Sequence, residues 1–427
     1  MTIARLKRPP ASSLVLALLC LMYFIVYVDR VNLATAARDI KQELSLSNMQ
    51  LGLVFSAFAY PYALFQVFGG WVGDRFGPRL TLFACGVVWA VATILTGLAT
   101  SLATLFLFRL LLGFGEGATF PCATRAMQSW TPVKRRGFAQ GITHAFSRLG
   151  NAVTPPIVAA LIALVTWRGS FVALGVVSAT WVIAWVWYYR DCPANHPSIT
   201  REELDLLPNH GLPLTAVRPD VPWKRLARRM LPITIVYFCY AWTLWLYLNW
   251  LPSFFLHEYN LELSRSALFA SAVFFAGVAG DVAGGVVSDF ILRQTGDLRR
   301  ARLVVVVGGF LGSFLFLLPI FATRDITAIA LCLGGAMFFA EMVIGPMWSI
   351  PMDITPKYSG TASGIMNTGS AVAGILSPIV FGFIIDKTGD WHLPFVGSLL
   401  MMLVGASLAF TMHPEAAFEE AAAPTLA

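Results

Sequence analysis

The chain has 427 residues, of which 57% are hydrophobic and only 12% charged, about half the ~25% charged share of a soluble domain. Thirty Lys/Arg and 23 Asp/Glu cannot clothe a soluble particle of this length, so lipid surrounds most of it and a large soluble domain is excluded. The net charge of +7 lies in short clusters between apolar runs, which excludes a nucleic-acid-binding face and reports membrane topology instead.

Apolar runs bounded by charges or turn residues predict helices near 13–34, 48–72, 79–99, 102–128, 137–165, 169–189, 231–256, 265–288, 301–322, 326–350, 359–385 and 391–412. Each approaches the ~20 residues that cross a bilayer. An all-α membrane protein of twelve transmembrane helices follows. Arg5, Lys7 and Arg8 ahead of the first run, with Ala34-Thr35-Ala36 behind it, imitate a cleaved signal peptide. Asp29-Arg30 interrupts that run, so it reads as a retained first helix. The polar stretch from Arg190 to Arg229 holds seven Lys/Arg and six prolines and divides the chain six plus six. The expected organisation is an N-terminal bundle over 1–190, a cytoplasmic central loop over 191–229 and a C-terminal bundle over 230–427.

With the N-terminus placed in the cytoplasm, twenty Lys/Arg fall in the links on that side and six on the other. The excess of positive charge puts both termini in the cytoplasm. The two halves also repeat: Gly69-Gly70-Trp71-Val72-Gly73-Asp74 recurs as Gly284-Gly285-Val286-Val287-Ser288-Asp289, Glu116 with Pro121 as Glu341 with Pro346, Thr131-Pro132 as Thr355-Pro356, and Gly137 and Gly141 as Gly360 and Gly364. Repeats in the same order at equivalent helices mark two bundles related by pseudo-symmetry, with a cavity between them. The six cysteines have no metal or CxxC spacing and read as core residues. Gly113, Gly115 and Gly117 lie inside an apolar run, where close helix packing explains them better than a nucleotide loop.

An ionisable group inside a bilayer costs on the order of 3 kcal/mol and calls for a pairing or functional explanation. The first half places Asp29, Arg30, Arg109, Glu116 and Arg148 within its runs, and the second half Asp281 and Glu341. Arg30, Arg109 and Arg148 outnumber Asp29 and Glu116, making a locally positive pocket that suits an anion. Burial favours a protonated carboxyl and a neighbouring guanidinium favours an ionised one, so proton occupancy can respond to whether substrate holds the arginine. The competing reading is a set of permanently paired charges that lock the helices together. Arg148, Asp281, Glu341 and His144 are open to either reading. The link Gly73-Asp74-Arg75-Phe76-Gly77-Pro78-Arg79 after Gly70 reads as a gate latch with Asp74 as a capping or bridging group, and Asp289 is its counterpart in the second half.

This link resembles the loop signature of the major facilitator superfamily. Tyr27-Val28-Asp29-Arg30-Val31-Asn32-Leu33, Tyr62, and Phe108-Arg109 through Glu116-Gly117 resemble its anion:cation symporter branch, which includes bacterial sugar-acid/proton symporters and the sialic acid and vesicular glutamate carriers. The resemblance covers nearly the whole chain. It implies that Arg30 binds a substrate carboxylate, that Tyr27 and Tyr62 line the site, that Asp29 and Glu116 exchange protons, and that Arg109 modulates Glu116. Ser147-Arg148 stands where the galactonate-type members carry a glutamine and an aromatic residue. Trp242, Tyr247, Asn249, Trp348, Ser349 and Asn367 are the second half's candidates for contacting hydroxyl groups of a substrate.

The resulting expectation is a monomeric secondary transporter of the bacterial inner membrane. It would bring in a small organic anion, such as a hexuronate, aldonate, aldarate or similar carboxylate, together with protons. Its energy source would be the proton gradient, with membrane lipid around it and no cofactor, metal or nucleic acid. The rival within the class is an exchanger or an efflux carrier. An intramembrane enzyme would need a nucleophile or metal constellation, and a sensor would need a soluble output domain; neither is legible here.

Overall fold

The computed structural model describes residues 10–46, 50, 54, 57–208, 221–260 and 263–418. In chain order its helices are α1 (Ala11–Glu43), α2 (Ala59–Phe76), α3 (Pro78–Gly97), α4 (Leu102–Gly117), α5 (Thr119–Trp130), α6 (Arg136–Tyr188), the short α7 (Arg201–Leu206), α8 (Trp223–Glu258), α9 (Leu263–Thr295), α10 (Leu298–Leu317), α11 (Ile326–Met342), α12 (Ile344–Ile354), α13 (Ser359–Thr388) and α14 (Pro394–Ala409).

Two expected spans are locally interrupted. The runs 102–128 and 326–350 each cross as one span, as expected, but the regular helical hydrogen bonding lapses for one residue, at Ala118 between α4 and α5 and at Val343 between α11 and α12, where the backbone keeps helical angles. Proline explains both breaks. Its ring clashes with the carbonyl four residues earlier and it donates no N–H; for Pro121 that carbonyl is Gly117's and for Pro346 it is Met342's, the last residues of α4 and α11. Glu116 and Glu341 each sit one residue before the end of the interrupted helix. At the first break the Thr119 hydroxyl donates to the Glu116 carbonyl at 2.6 Å, satisfying an acceptor that the lost turn would have used.

The expected spans 137–165 and 169–189 are two helices, labelled together α6, that meet where Val165 and Thr166 leave helical backbone angles. Thr166 has φ of 66°, a left-handed conformation that is strained for a β-branched residue. Counting α4–α5 and α11–α12 as one crossing each and α6 as two, the described helices form twelve crossings in two groups of six. Among the described residues, eight stretches are long and apolar enough to cross a bilayer on their own composition. The others include α2, the first half of α6 and α13, which carry Gln66, Arg148 and Asn367 on faces buried against the other half.

The halves meet where α2 packs on α13 and α6 on α9. Glycine permits the contact. A β-carbon on Gly70 would overlap the Gly360 carbonyl, and one on Gly285 would overlap the Gly137 carbonyl, so the sequence repeat becomes a pair of pseudo-symmetric backbone contacts.

Candidate functional site

Arg30 lies about midway along α1, and its side chain is only 12% exposed. Its Nε donates to Glu116 Oε2 at 2.7 Å, joining α1 to the last turn of α4. Around the guanidinium stand Tyr27, Phe58, Tyr62 and Phe120, whose ring centres lie 4.9, 5.0, 4.5 and 5.2 Å from Cζ. Such rings stabilise a cation while leaving its N–H groups for an anion, since an aromatic face accepts charge without consuming directional donors. Asp29, next in sequence and nearly fully buried, accepts a 2.9 Å hydrogen bond from the Ser178 hydroxyl. Arg109 Nη1 donates to the Asp29 carbonyl at 3.4 Å, so it reaches α1 rather than pairing with Glu116, two turns along its own helix. Glu116 Oε1 and Arg109 Nε are buried without a hydrogen-bond partner among the described residues. Buried charged groups left without a partner call for a physical explanation, because such groups are almost always paired in a folded protein.

A second buried charge cluster joins the halves. Arg148 on α6, 1% exposed, places Nε 3.2 Å from Glu341 Oε1 and donates to Glu341 Oε2 at 3.3 Å. Tyr240 on α8 donates to the same Oε2 at 2.9 Å. Asp281 on α9 is fully buried, and neither of its oxygens meets an N–H or O–H donor among the described residues. His144, one turn before Arg148, is packed by Tyr23 and Trp348, with ring centres 5.0 Å away in each case.

At one end of the molecule the two halves cap each other's helices. Asp74 accepts from the backbone N–H groups of Gly360 and Thr361 at 3.1 and 2.7 Å and from the Thr361 hydroxyl at 2.6 Å. Asp289 accepts from the N–H groups of Gly137 and Phe138 at 3.1 and 2.7 Å. Each carboxylate thus satisfies the orphan donors of a helix start in the opposite half and meets its positive dipole end. Gly70 gives the backbone room to approach. Arg75 is exposed and rests on Trp71 and Phe76, outside these caps. Arg79 donates to the Val186 carbonyl at 3.1 and 2.7 Å, which fastens α3 to α6 within the first half.

The neutral candidates divide. Trp348 Nε1 donates to Tyr237 Oη at 2.8 Å, and its ring faces Phe120 across the seam. Asn367 donates to Gln66 Oε1 at 2.9 Å, again across the seam. Ser147 and Ser349 give their hydroxyls to backbone carbonyls of their own helices, those of His144 and Gly345. Trp242 lies near Gly397 and Tyr247 near Phe395, both against α14. The Asn249 side chain lies outside the described residues. Sequence reading missed Phe58, Phe120, Tyr237, Tyr240, Gln66 and Ser178. It also missed Asp353, which accepts from Arg136 at 2.9 Å and from Arg302 at 3.0 Å beneath the Asp289 cap. For Tyr237 and Tyr240 the signal was their three-residue spacing, which puts both on one helix face.

Comparison with known proteins agrees with this architecture. The chain is 47% identical over 409 residues to a probable sulfoacetate transporter of Cupriavidus necator, covering 96% of this chain and 95% of that one. It is 30% identical over 406 residues to a hexuronate transporter of Bacillus subtilis, covering 92% and 93%. Among solved structures, a fucose transporter in the outward conformation matches with a TM-score of 0.73 at 14% identity, over 94% of this chain and 99% of that one, which shows the shared fold. Residues 19–378 match the profile of the Major Facilitator Superfamily. The chain is therefore a membrane transporter, not an enzyme, and belongs to the major facilitator superfamily.

Proposed function

We propose that this protein carries a small organic acid anion inward with protons by alternating access. The observation that carries the reading is the Arg30–Glu116 pair, 2.7 Å long and set inside an aromatic cage deep in the molecule. An incoming acid group offers the guanidinium the same planar, charged partner that Glu116 does. Substrate and Glu116 compete for Arg30, and a displaced Glu116 is stabilised by taking a proton, because an unpaired buried carboxylate is costly. Asp29, held by Ser178 beside Arg109, is the second proton acceptor. The charge-compensated site then permits the halves to rock once the Asp74 and Asp289 caps open.

The relatives' names support an organic acid as substrate, either a sugar acid such as a hexuronate or a short sulfonated carboxylate. The excess of Lys/Arg supports a cytoplasmic position for the capped end, for both termini and for the 191–229 loop between the bundles over 1–190 and 230–427. A monomer contains every element the mechanism uses, and the proton gradient of a bacterial inner membrane supplies its energy.

In proteoliposomes, Glu116→Gln should keep exchange of labelled substrate across the membrane while losing accumulation driven by an imposed proton gradient. Unchanged accumulation would remove Glu116 from coupling, and wild-type uptake indifferent to the gradient would favour an exchanger. Arg30→Ala should abolish anion binding; retained affinity would remove Arg30 as the anchor.

A further inference from the structure

We infer that Arg148 is a second acid-binding pole, so that the preferred substrate is a short anion bearing an acid group at each end. This rests on the reading that Arg30 holds the first acid group. Tyr27 is the ruler: its ring centre lies 4.9 Å from the Arg30 guanidinium carbon and 5.7 Å from that of Arg148. Two guanidinium groups therefore flank one side chain, and acid groups separated by one or two carbons can reach both. The Tyr27 hydroxyl accepts from Arg148 Nη1 at 3.3 Å, and the Tyr240 hydroxyl accepts from Nη2 at 3.2 Å. Each hydroxyl can turn to an incoming oxyanion, which gives a carboxylate or sulfonate a charged fork and two neutral donors.

The second pole repeats the first. Glu116 and Glu341 occupy equivalent positions, each just before a proline-induced break, and each holds an arginine of the N-terminal half. A purely structural pair would need one carboxylate. Here two carboxyl groups share the electrostatic surroundings of one guanidinium, since Asp281, buried in the same cluster, interacts through space with both Arg148 and Glu341. With both ionised, the cluster would carry an uncompensated negative charge in a buried place. Titratable groups face it from every packed element: Tyr27 on α1, His144 on α6, Tyr237 and Tyr240 on α8, Asp281 on α9 and Glu341 on α11. The Arg148–Glu341 pair also ties the halves together at their centre, so its exchange for a substrate acid links occupancy to the seam that must open.

The test measures binding to purified protein by isothermal titration. The two-acid probes are succinate and sulfoacetate, and the one-acid probes are propionate and methanesulfonate. Wild type should prefer two-acid over one-acid probes by about tenfold or more, the scale of one charge-assisted acid contact. Arg148→Gln should abolish that preference and leave one-acid affinity within about threefold, with partial rescue by Arg148→Lys. Preference for one of the two-acid probes alone supports the pole and names its acid group. A two-acid preference that survives Arg148→Gln, or none in wild type, overturns it. Should Arg148→Gln fail to fold, Glu341→Gln frees Arg148 and should tighten two-acid binding at least about threefold; unchanged two-acid binding overturns the proposal. Arg30→Gln should weaken both probe classes, and if it weakens neither, the first-pole reading fails irrespective of Arg148.

Discussion

Replacing Asp74 with asparagine should open the capped end of the molecule. The carboxylate accepts three hydrogen bonds from Gly360 and Thr361 at the start of α13 and lies 3.6 Å from Arg125. Asparagine keeps the shape and one acceptor but removes the charge that meets the helix dipole and the guanidinium. A charge-assisted hydrogen bond contributes about 1.5–3 kcal/mol and a favourable dipole contact up to ~2 kcal/mol. A net loss of about 2 kcal/mol, specific to the conformation in which the caps are made, shifts the conformational equilibrium ~30-fold. Spin labels at exposed Arg75 and Arg300, one in each half, report the separation by double electron–electron resonance. Wild type should show mainly the short distance, and Asp74→Asn should show a new, longer component. Asp289→Asn, at the equivalent cap, should do the same. If both variants leave the distance distribution unchanged, the two aspartates do not hold this end closed.

Other outcomes follow from the same contacts. Gly70→Leu should cut transport at least about tenfold while sparing anion binding, because its side chain would overlap the Gly360 carbonyl in the closed seam; normal transport rates would show that the seam need not close so tightly. Asp353→Asn should lower the melting temperature in detergent, since it leaves Arg136 and Arg302 buried with a weakened partner and breaking a buried pair costs about 3–5 kcal/mol; an unchanged melting temperature would contradict this. Glu43, at the end of α1 beyond its apolar stretch, is held below the ordinary carboxylate range by hydrogen bonds from Trp167 and Arg168. Its contribution is complete above its unfolded value and is lost as pH falls through the lowered folded value. The stability gap between wild type and Glu43→Gln should therefore close on acidification, and a gap that persists at low pH would contradict the assignment.

Much of the architecture was legible because lipid enforces it: only regular, self-satisfied backbone crosses a bilayer, so apolar runs located the crossings. The repeat of Gly70 and Asp74 as Gly285 and Asp289 likewise anticipated the paired caps. The helix breaks were present in the sequence as Pro121 and Pro346, yet apolar length concealed them, because hydropathy does not register a missing N–H. What a single sequence could not supply was pairing. It marked Arg30, Glu116, Arg148 and Glu341 as costly, but not that Arg30 meets Glu116 while Arg148 crosses to Glu341, since those contacts depend on how separate helices rotate. Angular position also separates aromatics on one helix. Trp242 lies about 200° around α8 from Tyr240, so when Tyr240 faces the seam Trp242 faces the interior of its own bundle.

The central claim is that a substrate acid group displaces Glu116 from Arg30 and that Glu116 then takes a proton. Titration of a bound acid anion in buffers of different ionisation enthalpy counts the protons taken up on binding. Wild type should take up protons with the anion, and Glu116→Gln should bind it with about one proton fewer, since each carboxyl accepts one. An equal count in the two proteins would contradict the account.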